Sequence, residues 1–149
     1  MDSADLKLDV NTELSARRTG MSFQRTRMAA DRTLMAVIRT SLSLISFGFT
    51  IYQVFQRLRD QNLLTGAAPA RRFGLALVGL GIGMLVLGII YHVQYMQGLR
   101  QVRKMMTASG LIHGETVFPT SLTLLTAIVL LAIGIAAIVS MVFAVGPFG

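Results

Sequence analysis

The chain has 149 residues, 53% of them hydrophobic and 14% charged, with a mean hydropathy of +0.62 and no cysteine. This composition is that of an integral membrane protein; it excludes disulfides and thiolate metal sites and leaves no room for a separate globular domain. The net charge of +7 does not point to nucleic acid, because the basic residues flank apolar runs without the aromatic-basic interleaving of a binding fold.

Residues 1–10 are polar and mixed in charge and are expected to be weakly structured. Asn11-Thr12 can cap a helix. From there to about Asp60 the pattern reads as mostly helix, with Gly20 the place for a bend, since an interior glycine costs about 1 kcal/mol relative to alanine. Neither end reads as a cleaved targeting signal. The leading feature is a ladder: Arg18-Thr19, Arg25-Thr26, Arg32-Thr33 and Arg39-Thr40 recur every seven residues. A continuous helix sets the four guanidinium groups near one edge, a rung roughly every 10 Å. Sevens counted on from Arg39 reach Ser46 and Gln53, and the positions four later in each heptad are Ser15, Ser22, Ala29, Ala36, Ser43, Thr50 and Arg57. One face is therefore small, polar or basic, and it is expected to meet protein or water rather than lipid.

The first apolar run, residues 34–55, is 22 residues long with Arg39 as its one charge. Arg39 lies roughly 7 to 8 Å inside the start of that run. One reading lets it snorkel to headgroup phosphates. Another groups it with Ser43, Ser46, Thr50, Gln53 and Arg57 as a hydrated seam. A dry packing seam is also open, because serine and threonine in membrane helices bond back to the i−4 carbonyl. Before the run, Met21, Phe23 and Met28 among the arginines form an amphipathic stretch that could lie along the cytoplasmic leaflet, where Arg18 and Arg25 would meet lipid phosphate.

Residues 61–72 form a first connection, broken by Gly66 and Pro69. The second run, residues 73–95, has 23 residues and no formal charge. Gly74, Gly81 and Gly88 recur every seven residues there, and Gly79-x-x-x-Gly83 supplies a close-approach motif, so this span is expected to pack tightly against a neighbour. The same glycines form no nucleotide loop, because no strand precedes them. Tyr91 and Tyr95 mark an interfacial belt, and His92 reads as a polar end-of-helix residue rather than a ligand. The second connection, about residues 96–121, contains Gly110, Gly114 and Pro119, and its basic start extends the second helix. The third run, residues 122–145, has 24 uncharged residues; it is expected to face lipid, with Gly134 and Ala137 available for packing.

Each run can cross a hydrocarbon core of about 30 Å as a helix. The expected fold class is all-α integral membrane protein: three transmembrane helices (about 34–55, 73–95 and 122–145) with a basic N-terminal juxtamembrane helical extension. Residues 1–32 form that cytoplasmic, partly helical extension and residues 33–149 the membrane domain. Nine basic residues (Lys7, Arg17, Arg18, Arg25, Arg27, Arg32, Arg100, Arg103, Lys104) lie on one side and four (Arg57, Arg59, Arg71, Arg72) on the other. The bias favours a cytoplasmic N-terminus and a C-terminus on the opposite side. His92 and His113 lie in different segments and no span holds a carboxylate to pair with them, so no enzyme, catalytic residue, metal or cofactor is expected.

The segment Asp31-Arg32-Thr33-Leu34-Met35-Ala36-Val37-Ile38-Arg39-Thr40, followed by Leu42, Leu44, Ile45 and Ser46-Phe47-Gly48-Phe49, resembles the Glu-Arg-Thr-x-Leu-Ala-Trp-x-Arg-Thr pattern of the YidH-like domain-of-unknown-function family. That family is shared with the membrane subunits of the eukaryotic vacuolar transporter chaperone, the polyphosphate polymerase complex. Asp31 replaces the usual Glu and Val37 the usual Trp. The resemblance implies a three-helix membrane domain with a cytoplasmic N-terminus, in bacteria of the inner (plasma) membrane, where its members mostly lack an assigned function; in the eukaryotic complex such domains form a ring whose motif-bearing helices line a path for polyphosphate. By it Arg32 and Arg39 face the path; Arg18, Arg25 and Arg57 extend the set by the heptad alone.

Two functions follow as expectations. One is an oligomeric, arginine-lined conduit for anions or polyphosphate-like polyanions. The other is a non-conducting scaffold or assembly subunit that binds a partner membrane protein or anionic lipid. The expected partners are membrane lipid, further copies of the chain, which the conduit requires, and a partner membrane protein or polyphosphate; neither reading expects nucleic acid.

Overall fold

The computed structural model describes residues 3–62, 68–108 and 121–143, with side chains from residue 10 onward. Gly66, Gly110, His113, Gly114, Pro119 and the last two residues of the third apolar run lie outside the described residues. Three α-helices account for the described chain: α1 (Ser3–Asp60), α2 (Ala68–Ala108) and α3 (Leu122–Phe143). All three are long and apolar enough to cross a membrane.

The first helix departs from expectation at its start. It begins at Ser3 rather than at Asn11-Thr12 and runs unbroken through Gly20, because Ser3-Ala4-Asp5-Leu6-Lys7-Leu8 contains no helix breaker and puts an acid in the first turn. It ends where Asn62 takes a left-handed φ of 54° and its N–H donates to the Arg59 carbonyl at 2.9 Å, a C-terminal stop in which asparagine does glycine's work. Arg57 and Arg59 occupy the last turn, where the helix dipole favours cations. The first connection is shorter than expected because α2 begins at Ala68 rather than after Arg72. Pro69 is the second residue of α2, in the first turn, where a missing N–H costs nothing. The basic stretch after Tyr95 extends α2 to Ala108, as its sequence suggested.

α1 and α2 run antiparallel along a seven-residue seam. Leu34, Ile38, Ser41, Ile45 and Gly48 are the buried residues of α1, and Gly74, Val78, Gly81, Leu85 and His92 those of α2. Glycine sets the distance between the two backbones. A Cβ at Gly48 would lie 2.6 Å from the Gly74 carbonyl oxygen, and one at Gly74 would lie 2.7 Å from that of Gly48. A Cβ at Gly81 would meet Ile45 at 2.9 Å, and one at Gly88 would meet Val37 at 2.7 Å. Gly79 and Gly83 are not part of this contact: both are exposed, and a Cβ added at either would meet nothing within 4 Å. The cause is phase, since the Gly79–Gly83 pair lies outside the Gly74/Gly81/Gly88 register.

α3 runs parallel to α1. Its start touches Asp31, Gly134 is buried against Ile45 and Ile82, and the Met141 carbonyl accepts from the Tyr52 hydroxyl. Two apolar clusters fill the three-helix contact: Leu34, Ile38, Leu85 and Ala127 toward one end, Ile45, Val78 and Met141 toward the other. The three apolar runs are thereby in register, and the first of them rises about 30 Å at 1.5 Å per residue, the thickness of a hydrocarbon core. Residues 3–33 of α1 and 96–108 of α2 project beyond that layer at the same end.

Candidate functional site

The face of α1 opposite the α2 seam carries the ladder. Arg18, Arg25, Arg32 and Arg39 are exposed, as are Ser43, Ser46, Thr50 and Arg57, whereas Gln53 is half-buried. Neither α2 nor α3 covers this face, so the arginine inside the first apolar run points out of the subunit. The threonine of each Arg-Thr pair has a definite local role. Thr19, Thr26, Thr33 and Thr40 donate their hydroxyls to the carbonyls of Ser15, Ser22, Ala29 and Ala36 at 2.9 to 3.0 Å. Ser43 and Thr50 do the same to Arg39 and Ser46 at 3.0 and 2.8 Å. These donors are spent inside the helix, so the hydroxyls themselves do not require water.

At the level where the apolar runs begin, the three helices meet around one carboxylate. Ser121, which precedes α3 and accepts from the Leu124 and Leu125 N–H groups through its carbonyl, donates its hydroxyl to Asp31 Oδ1 at 2.9 Å. Thr123 donates to the same oxygen at 3.2 Å. His92 Nε2 of α2 lies 3.6 Å from it, with the imidazole 3% exposed and both ring nitrogens lacking a hydrogen-bond partner among the described residues. Asp31 thus ties the start of α3 to α1 and faces a buried histidine of α2. Next to this junction a groove of about 640 Å³ opens between α1 and α3, lined by Asp31, Arg32, Met35, Ala36, Arg39, Leu122, Thr123 and Thr126.

The ladder is not gathered at one place. Arg32 and Arg39 share the groove; Arg25 and Arg18 stand about 10 and 20 Å farther out along α1, beyond the start of α3; Arg57 lies at the other end of the span. There Arg71 sits 5.7 Å from the centre of the Tyr52 ring and donates to Gln56 at 3.4 Å. His92 is a correction: it is a buried member of the helix seam beside a carboxylate, not a polar residue at a helix end. The signal was present in the sequence. Val78, Leu85 and His92 keep one heptad phase on α2, and Asp31, Ile38 and Ile45 keep one on α1, so counting sevens on the apolar faces places both ionisable groups in the seam.

Residues 25–98 match the model of a family described as a domain of unknown function, DUF202. The match runs from the second Arg-Thr pair through the α1–α2 seam, and it stops before α3. No curated protein and no solved structure matches the chain.

Proposed function

We propose that the protein is an oligomeric integral membrane protein in which the arginine-bearing face of α1 from several copies lines a conduit for anions, polyphosphate-like polyanions among them. The observation that carries this reading is the exposure of Arg39, Ser43, Ser46 and Thr50 on a membrane-length helix, on a face the subunit's own helices leave open. Lipid is a poor neighbour for that face: an arginine costs about 2.5 to 3.5 kcal/mol at the centre of a span on insertion scales and less near an edge. Turning the face toward other copies around a hydrated lumen removes the cost, and rings of cationic side chains are how anion and phosphate pores select. A strict seven-residue repeat drifts about 20° per heptad on a straight helix, so keeping the face inward requires left-handed supercoiling against neighbours. The basic asymmetry supports a cytoplasmic N-terminus, and the resemblance to the YidH-like family supports a bacterial inner membrane. The tie to the vacuolar transporter chaperone rests on that resemblance alone, and no catalytic role is proposed.

One observation favours a second reading, a scaffold that packs dry against a partner membrane protein or holds lipid. The hydroxyls of Thr40, Ser43 and Thr50 are satisfied by backbone carbonyls, so a waterless interface would leave no donor of theirs unpaired. Native mass spectrometry of the detergent-solubilised protein, with single cysteines at Ser43, Ser46 and Thr50 probed by a hydrophilic thiol reagent, separates the two. A closed oligomer whose cysteines react and are protected by added polyphosphate supports the conduit. A monomer, or silence at all three positions in an intact oligomer, overturns it.

A further inference from the structure

The groove between α1 and α3 is a property of a single subunit and asks for an occupant of its own. We propose that it binds one anionic glycerophospholipid from the leaflet on the N-terminal side, with the phosphate held between Arg32 and Arg39 and an acyl chain laid over Met35, Ala36 and Leu122.

Depth is the first argument. Arg32 lies just before the apolar run that starts at Leu34, and Arg39 lies within it, about 10 Å apart along the helix. Helical side chains lean toward the N-terminus, so the deeper guanidinium reaches back toward the shallower one at headgroup level. Charge is the second. Neither Arg32 nor Arg39 has an ion-pair partner among the described residues, and the acid in the groove is already engaged: Asp31 Oδ1 accepts from Ser121 and Thr123. Two free guanidinium groups suit the oxygens of a phosphodiester, which arginine meets in a planar fork. The start of α3, with its partial positive charge, adds to the same field.

The remaining lining discriminates between sources of phosphate. Thr126 turns its hydroxyl back to the Leu122 carbonyl at 2.9 Å, and Met35, Ala36 and Leu122 offer hydrocarbon. A soluble phosphate gains nothing from such a wall, whereas a lipid tail does. The volume, about 640 Å³, falls within the span of roughly 300 to 1,000 Å³ usual for ligand sites. The site does not depend on the conduit reading.

The test is native mass spectrometry of the full chain in detergent, titrated separately with dioleoyl phosphatidylglycerol, dioleoyl phosphatidylcholine, dioleoylglycerol and inorganic tripolyphosphate. The expected result is one retained phosphatidylglycerol per chain, bound more tightly than phosphatidylcholine, with dioleoylglycerol not retained and tripolyphosphate unable to displace the lipid. The double variant Arg32→Gln/Arg39→Gln should weaken retention about tenfold or more, and Arg57→Gln, at the far end of α1, should not. Ala36→Trp fills the groove without changing charge or the buried seam, and it should expel the lipid as well. Retention unchanged in the double variant, retention unchanged in Ala36→Trp, or displacement by tripolyphosphate each overturns the proposal. The same spectra count subunits, so a failed oligomer and a failed lipid site are read independently.

Discussion

Replacing Gly48 by alanine adds one methyl group at the closest approach of α1 and α2. Its carbon would lie 2.6 Å from the Gly74 carbonyl oxygen and 2.9 Å from Leu77 Cβ and Val78 Cγ2. Ordinary contact begins near 3.4 Å, and a backbone carbonyl cannot rotate away, so the helices must part or shift. Overpacking of this kind costs about 1 to 3 kcal/mol. Alanine also gains about 1 kcal/mol over glycine in helix propensity, which would blur a comparison with wild type. Gly79→Ala removes that ambiguity, since it makes the same chemical change on a membrane helix with nothing within 4 Å of the new methyl. The difference between the two variants isolates the contact: Gly48→Ala should be less stable than Gly79→Ala by about 1 to 3 kcal/mol, roughly 5- to 150-fold in the unfolding equilibrium. Gly74→Ala should fall with Gly48→Ala, because its methyl meets the Gly48 carbonyl oxygen at 2.7 Å. Unfolding in dodecyl maltoside micelles titrated with SDS, followed by circular dichroism, reads all three. Equal stability of Gly48→Ala and Gly79→Ala would refute the glycine seam.

Asp31→Asn removes the charge that receives the Ser121 and Thr123 hydroxyls; it should cost about 1 to 3 kcal/mol and show as faster hydrogen exchange at the first amides of α3, with the α1–α2 seam unchanged. Arg39→Leu should insert as well as wild type or better, because a charge leaves the span; protein lost to the soluble fraction would make Arg39 a topological anchor instead. Single cysteines at Ser3 and Phe148 should label from opposite sides with an impermeant thiol reagent, since α1 and α3 run parallel; labelling from one side would end that topology.

The lengths of the helices and the Gly74, Gly81 and Gly88 repeat are legible in the sequence because each is periodic within one element. Which helix those glycines meet is not. A glycine heptad on α2 states that something comes close; that it is Gly48, Ser41 and Val37 of α1 depends on register between two helices. The start of α1 differs from expectation because polar composition resembles weak structure, although polar residues without glycine or proline make acceptable exposed helix. Counting sevens places Asp31 and His92 at the seam, but the part Ser121 plays with them is hidden for a related reason. No carboxylate lies inside an apolar run, and Asp31 stands one turn outside the first of them, where α3 begins and a polar group can be both half-buried and hydrogen-bonded.

The Arg-Thr repeat acquires a physical sense once the threonine bonds are known. In each heptad the threonine hydroxyl is consumed by the carbonyl four residues back, so the guanidinium is the group on that face whose needs the helix does not meet itself. Outside the hydrocarbon layer, at Arg18 and Arg25, water meets them at little cost. At Arg39 it does not, unless the side chain reaches a phosphate or a lumen. Ser43 and Thr50, deeper in the span, accept lipid, protein or water with small differences, because their donors are already bonded. What the face packs against is therefore decided at Arg39, and the lipid groove and the shared conduit are two ways of supplying the same missing anion. They part at Ser46 and Thr50: a lipid phosphate near Arg39 leaves those residues dry, and a continuous anion path must wet them.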